Sequence, residues 1–264
     1  MRRIIEFNCE GVTLAGTLDE GNAATGLIII SGGNEIRIGA HRGMALLAQD
    51  LASQGTPVFR FDRRGIGDSD GDNGGFEASG PDILAALFAF RAACPGLERI
   101  VAFGNCDAAT SLVLHSTNID RLVLANPWII EPVDDLPPPA VIKDRYTRRL
   151  RDPSAWIALF TGKVNFRRTI RGLSRVFAPK SQIGGLALRV ATALANDRKP
   201  TTILLASGDN TAITFADAWD GTDFARARNR ADIAVIRFDS PSHSFASDTD
   251  YAILAETLKA ALIQ

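Results

Sequence analysis

Three cysteines and three histidines are the only thiols and imidazoles in this 264-residue chain. One of each stands where chemistry could be done. Cys106 lies in Gly104-Asn105-Cys106-Asp107-Ala108, between the apolar run Ile100-Val101-Ala102-Phe103 and a helical stretch over 107–116. That is the strand-turn-helix setting of a nucleophile elbow, G-x-Nu-x-G, with alanine in the last small position. Such a turn lifts one side chain above a sheet only if its neighbours are small, as Gly104 and Ala108 are. At a helix start the backbone N–H groups and the helix dipole favour a thiolate. The alternative is an ordinary buried cysteine in a small apolar turn.

A nucleophile needs a proton carrier within hydrogen-bond reach. His41 precedes the first helix and His115 sits inside the helix after Cys106, whereas His243 follows the last apolar run in Ser240-Pro241-Ser242-His243-Ser244-Phe245. Only the His243 loop is expected at the same strand ends as Cys106. Asp209, in the turn Ser207-Gly208-Asp209-Asn210-Thr211, is the candidate to orient the imidazole. Asp209 could instead cap the following helix, with Asp217, Asp220 and Asp223 as nearby substitutes. An oxyanion hole needs two backbone N–H groups. Asp107 would supply one, and Gly33, in Ser31-Gly32-Gly33-Asn34, the other. Asn34 and Trp128 are the candidate substrate contacts. The Gly-Gly pair could equally serve only to bend the chain.

These residues require a scaffold. Residues 3–9 and 12–18 flank the turn signal Glu10-Gly11 and predict a hairpin. Strands are expected at 26–31, 58–61, 100–103, 122–125, 202–206 and 233–238, and helices at about 41–54, 81–93, 107–116 and 250–263. Alternation of this kind implies an α/β fold, a mostly parallel sheet flanked by helices on both faces, with sites at the strands' carboxyl ends. The pattern breaks once. Residues 128–198 hold several helical stretches and no convincing strand, so the chain reads as a core (1–127), a helical cap inserted after strand 6 (128–198) and the rest of the core (199–264).

Composition narrows the class. With 46% hydrophobic and 22% charged residues the chain is neither disordered nor fibrous. No run approaches the roughly 18 to 20 apolar residues of a membrane span, and no signal-peptide core follows Met1-Arg2-Arg3, so a cytoplasmic location is expected. Widely spaced cysteines exclude a disulfide framework and a zinc site, and no phosphate-binding loop or nucleotide fingerprint occurs; no metal, cofactor or nucleic-acid partner is expected. The net charge of −1 hides a basic segment, since residues 143–180 carry eleven Lys or Arg against Asp144 and Asp152. There Phe166, Ile170, Leu173 and Phe177 form a stripe at helical spacing, with Arg167, Arg168, Arg171 and Arg175 between. An amphipathic, arginine-rich helix could meet an anionic substrate or a membrane surface, or be a solvated face.

With these residues placed, the chain resembles the α/β-hydrolase superfamily over nearly its full length. Asp62-Arg63-Arg64-Gly65-Ile66-Gly67-Asp68-Ser69 is similar to its D-x-R-G-x-G-x-S loop, and the order Cys106, Asp209, His243 matches its nucleophile, acid, histidine order. Gly32-Gly33-Asn34-Glu35-Ile36-Arg37-Ile38-Gly39-Ala40-His41-Arg42, Asn105-Cys106-Asp107-Ala108-Ala109, Asn126-Pro127-Trp128 and Tyr146-Thr147-Arg148-Arg149-Leu150 resemble the exosortase A system-associated hydrolase 1 family. The resemblance implies a bacterial enzyme accompanying a protein-sorting and exopolysaccharide system, with cysteine as nucleophile. The expected activity is hydrolysis of an ester or thioester, on a small-molecule or carrier-linked acyl substrate, through an acyl-cysteine. An acyltransferase using the same triad, or a non-catalytic binding module on the same fold, are the alternatives.

Overall fold

The computed structural model describes residues 1–130 and 185–263. The basic segment 143–180 and most of the expected cap therefore lie outside the described residues. Among those described, eight strands form one sheet: β1 (Arg2–Cys9), β2 (Val12–Asp19), β3 (Thr25–Ile30), β4 (Val58–Phe61), β5 (Arg99–Asn105), β6 (Arg121–Ala125), β7 (Thr201–Ala206) and β8 (Ile233–Phe238). Their spatial order is β1-β2-β4-β3-β5-β6-β7-β8. The expected hairpin β1/β2 is antiparallel and β2 joins β4 antiparallel, while every later pairing is parallel.

The apolar runs sort by the two-residue period of a strand. Ile28, Ile30, Phe59, Phe61, Ala102 and Leu124 point to one face. Leu27, Ile29, Val58, Val101, Phe103 and Val123 point to the other. A strand buried on both sides has no solvent-facing positions to alternate, so β3 reads as a continuous apolar run, while the one charged residue of β4, buried Arg60, is paired with Asp19 at 3.0 Å. The first face is covered by α2 (Gly80–Ala93), α3 (Asp107–Leu114), α4 (Gly185–Asn196), α5 (Asn210–Trp219) and α6 (Ala225–Arg228). The second is covered by α1 (Gly43–Ser53) and α7 (Asp248–Ile263). Helix α4 falls within the stretch assigned from sequence to the cap, yet it places Leu186, Val190 and Leu194 in the first core. The expected first helix is divided, because Ala40–Arg42 form a 3-10 turn and Arg42 is left-handed at φ 63° before α1 begins.

The parallel pairing brings the carboxyl ends of β3, β5, β7 and β8 to one edge of the sheet. From these ends come the segments carrying Gly33, Cys106, Asp209 and His243.

Candidate active site

The chain leaves β5 and enters α3 through a single left-handed residue, Cys106 (φ 62°, ψ −126°). A positive φ is costly for a residue with a Cβ and survives only where surrounding structure enforces it. Three contacts do so. Cys106 N–H donates to the Ala125 carbonyl (2.9 Å), Trp128 N–H donates to the Cys106 carbonyl (3.1 Å), and Gly104 lies so close to α3 that a Cβ there would stand 2.7 Å from the Ala108 carbonyl carbon. Gly32 is constrained from the other side: a Cβ on it would meet the Asn105 carbonyl oxygen at 2.6 Å and Asp107 Oδ1 at 2.9 Å. The glycines at 32 and 104 are therefore demanded by close backbone approach at this turn.

Asp209 and His243 meet. His243 Nδ1 lies 2.9 Å from Asp209 Oδ2. The other oxygen of the same carboxylate, Oδ1, accepts from the N–H groups of Thr211 (3.0 Å) and Ala212 (2.9 Å), so Asp209 also caps α5. The helix cap and the contact with the imidazole coexist, one on each oxygen. Asp217, Asp220 and Asp223 are exposed, and Asp220 pairs with Arg237 at 3.2 Å. The acid and histidine loops touch directly: Gly208 N–H donates to the Ser240 carbonyl (2.8 Å), and a Cβ on Gly208 would lie 2.8 Å from Pro241 Cα. Buried Phe245, stacked on Phe238 with ring centroids 5.7 Å apart, pins the far side of the histidine loop.

Electrostatics follow from these contacts. Burial alone would raise the Asp209 carboxyl, but the His243 hydrogen bond and the Ala212 and Thr211 N–H groups outweigh it, and the group sits below its ordinary range. His243 is pushed up to about 10, first by its hydrogen bond to Asp209 and next by one to the Cys106 side chain, against the opposing effect of burial. The ring stays partly open, with 41% of the His243 side chain exposed to solvent. His41 is exposed in the 3-10 turn, and His115 ends α3 with Nε2 2.9 Å from the Glu77 carbonyl oxygen.

Gly33 reaches the same site, at φ 56°. Its N–H donates to Asp107 Oδ1 at 2.6 Å. The Asp62 loop supports this segment, because Asp62 accepts from the Arg37 and Asp68 N–H groups (2.5 and 3.1 Å) and pairs with the Arg37 guanidinium. Arg64 pairs with Asp82 at 2.7 Å. Asn34 is exposed and accepts from Asn73 Nδ2 at 3.0 Å, tying it to the neighbouring loop. Trp128 lies over the elbow through its backbone bond to Cys106 and is partly buried against the first core. Among the described residues no group of acids, histidines and cysteines could hold a metal ion.

Sequence reasoning gave no role to four side chains here. Asn105 Nδ2 donates to the His243 carbonyl (2.8 Å), and Asn105 Oδ1 accepts from Asn126 Nδ2 (3.2 Å). Asn126 Oδ1 in turn accepts the Ala206 N–H at 3.0 Å, and the residue is fully buried at φ 43°. Arg63 donates to the Gly33 carbonyl and lies 3.8 Å from Asp107 Oδ2. The Asp107 side chain is the fourth. The available signal was a buried-looking Asn-Pro at the end of β6 and an arginine directly after Asp62.

No family model and no curated protein matches the chain by sequence. Solved structures do match. The esterase Pf2001 of Pyrococcus furiosus is 16% identical with a TM-score of 0.65, covering 98% of this chain and 92% of its own. The α/β hydrolase GrgF of Penicillium sp. sh18 is 16% identical with a TM-score of 0.62, covering 98% and 97%. The proline iminopeptidase of Mycobacterium smegmatis is 14% identical with a TM-score of 0.60, covering 98% of both chains. Strand order, elbow and neighbours agree, and the chain has the α/β-hydrolase fold.

Proposed function

We propose that the chain hydrolyses an ester or thioester through Cys106, His243 and Asp209. The observation that carries this reading is the His243–Asp209 pair, Nδ1 to Oδ2 2.9 Å, at the strand-end edge of the sheet where Cys106 is held at positive φ between β5 and α3. Neighbours bearing the names esterase and α/β hydrolase support the same class.

In this mechanism the Cys106 sulfur attacks the acyl carbon as a thiolate, its proton carried by the His243 ring. Charge gathers on the acyl oxygen, within reach of the Asp107 and Gly33 N–H groups. The intermediate collapses, the imidazolium gives its proton to the leaving alkoxide or thiolate, and an acyl-cysteine remains. The now neutral His243 takes a proton from water, whose oxygen attacks the acyl carbon and releases the acid. Asp209 holds the ring and stabilises the imidazolium as it re-forms. Asn34 and Trp128 flank the entry as substrate contacts. The substrate is a small-molecule or carrier-linked acyl compound, and the basic segment 143–180 would favour an anionic one or a membrane surface. The motif likeness to the exosortase-associated family extends the proposal to a cytoplasmic bacterial enzyme of that system.

The test is mass spectrometry of intact protein after brief exposure to p-nitrophenyl butyrate. An acyl mass mapping to Cys106, and lost in Cys106→Ala, supports the reading. Turnover without a Cys106 adduct that survives Cys106→Ala would reject it.

A further inference from the structure

The Gly33 N–H, one of the two groups able to stabilise an acyl oxyanion, is already bound. Its acceptor is the carboxylate of Asp107, the residue after Cys106, at 2.6 Å. A carboxylate there occupies the donor by a charge-assisted bond, the stronger kind, and its charge opposes an oxyanion arriving beside it. Arg63 offers that carboxylate a second position. The residue is 4% exposed, and its Nη2 donates to the Gly33 carbonyl and lies 3.8 Å from Asp107 Oδ2. Its Nη1 is buried with no hydrogen-bond partner among the described residues. An unmet buried donor is costly, and a small shift of the Asp107 carboxylate toward Arg63 would engage the guanidinium and release the Gly33 N–H together. Asp107 remains at the start of α3 in either position, so the helix dipole favours both.

We propose that the Asp107 carboxylate is an internal occupant of the acyl-oxygen site, displaced onto Arg63 when a carbonyl substrate enters, so that these two residues determine which carbonyl compounds the site admits. The proposal rests on the acyl-transfer reading above. A substrate anchored elsewhere can drive the displacement with its remaining contacts, whereas a small unanchored carbonyl must do so alone.

The experiment uses butyraldehyde labelled with carbon-13 at its carbonyl. Its carbon bonds the Cys106 sulfur as the carbonyl π bond opens, and the former carbonyl oxygen takes the negative charge or the proton from His243. Adduct affinity is read by carbon-13 NMR and compared with the rate of Cys106 alkylation by iodoacetamide, which requires the sulfur but no oxyanion site. Thermal melting checks that each variant is folded. Relative to alkylation, Asp107→Ala is expected to bind the aldehyde about tenfold more tightly, and Arg63→Gln about tenfold more weakly. The double variant should match Asp107→Ala, because Arg63 acts here through the carboxylate. Arg63→Lys, which keeps a cation without the fork, provides a second variant with a smaller loss. Unchanged or weaker binding in Asp107→Ala, or an Arg63→Gln penalty that persists in the double variant, would overturn the proposal. If no form yields an adduct while iodoacetamide still labels Cys106, the acyl-transfer reading falls too. If all forms bind the aldehyde equally, only the displacement is rejected.

Discussion

Asn105 Nδ2 donates to the backbone carbonyl of His243 at 2.8 Å, so the residue next to the elbow cysteine fixes the chain that carries the imidazole. Cys106 comes from a central strand and His243 from a loop after the edge strand β8, with β6 and β7 between them. A side-chain amide spans that gap, and Asn126 braces it from β6. Asn105→Ala should lower kcat about five- to tenfold, as expected for one lost hydrogen bond of about 1 kcal/mol. KM should stay nearly constant. Steady-state kinetics with p-nitrophenyl butyrate give the split, and a rise in KM alone would assign Asn105 to substrate binding.

The three thiols should differ in reactivity. Cys9 is 3% exposed and its thiol is pushed up to about 11, by burial first and the Asp82 charge next. Burial also raises Cys94. Iodoacetamide near pH 7 should label Cys106 well ahead of both, since the thiolate is the reacting form. Peptide mapping after short exposure is the check, and comparable labelling at Cys9 or Cys94 would contradict it.

Substitution of Asp209 should separate its two functions. Asp209→Asn keeps a side-chain oxygen for the α5 cap but loses the charge facing His243. Its melting temperature should change little, while kcat/KM falls on the order of 10³ to 10⁴. Asp209→Ala should lose activity similarly and also about 1 kcal/mol of stability with the cap. Retained activity in Asp209→Asn, with loss in Asp217→Asn or Asp223→Asn, would move the acid elsewhere.

The paired groups also predict how stability responds to pH. His243 binds its proton more tightly in the folded chain, so its contribution is complete below the free-imidazole value near 6.5 and is lost as pH rises toward about 10. Asp209 has the opposite sign, contributing above the ordinary carboxyl range and losing that contribution as acid protonates it. Between pH 7 and 10 the urea midpoint should fall more steeply in the wild type than in His243→Gln. The difference should be modest, because the ring is partly solvated and screened. Parallel curves would show that the ring is not held by these charges.

Much of this was legible in sequence, for identifiable reasons. The central strands β3, β5 and β6 are buried on both faces and so appear as apolar runs, and the elbow shows as a cysteine flanked by the small residues its turn requires. Asp209 was legible as a choice between two roles because an aspartate after a strand fits either one. What escaped were contacts between distant loops. No local pattern indicates that Asn105 reaches His243, or that Arg63 and the Asp107 carboxylate converge on Gly33, because those meetings depend on how far each loop travels above the sheet. The start of the first helix was blurred similarly, since His41 and Arg42 take left-handed conformations that their residue types do not announce.

The divided carboxylate of Asp209 joins the first turn of α5 to the imidazole. A helix end is ordinarily among the first parts of a protein to fray, opening and closing at little cost while the sheet stays intact. Here fraying of that turn would free the carboxylate to rotate and leave the ring without its orienting partner. Under the proposed mechanism the chain would remain folded and compact yet be chemically idle for the lifetime of each such opening, so the working fraction of molecules would be set by the closure of a single helical turn well before global unfolding mattered.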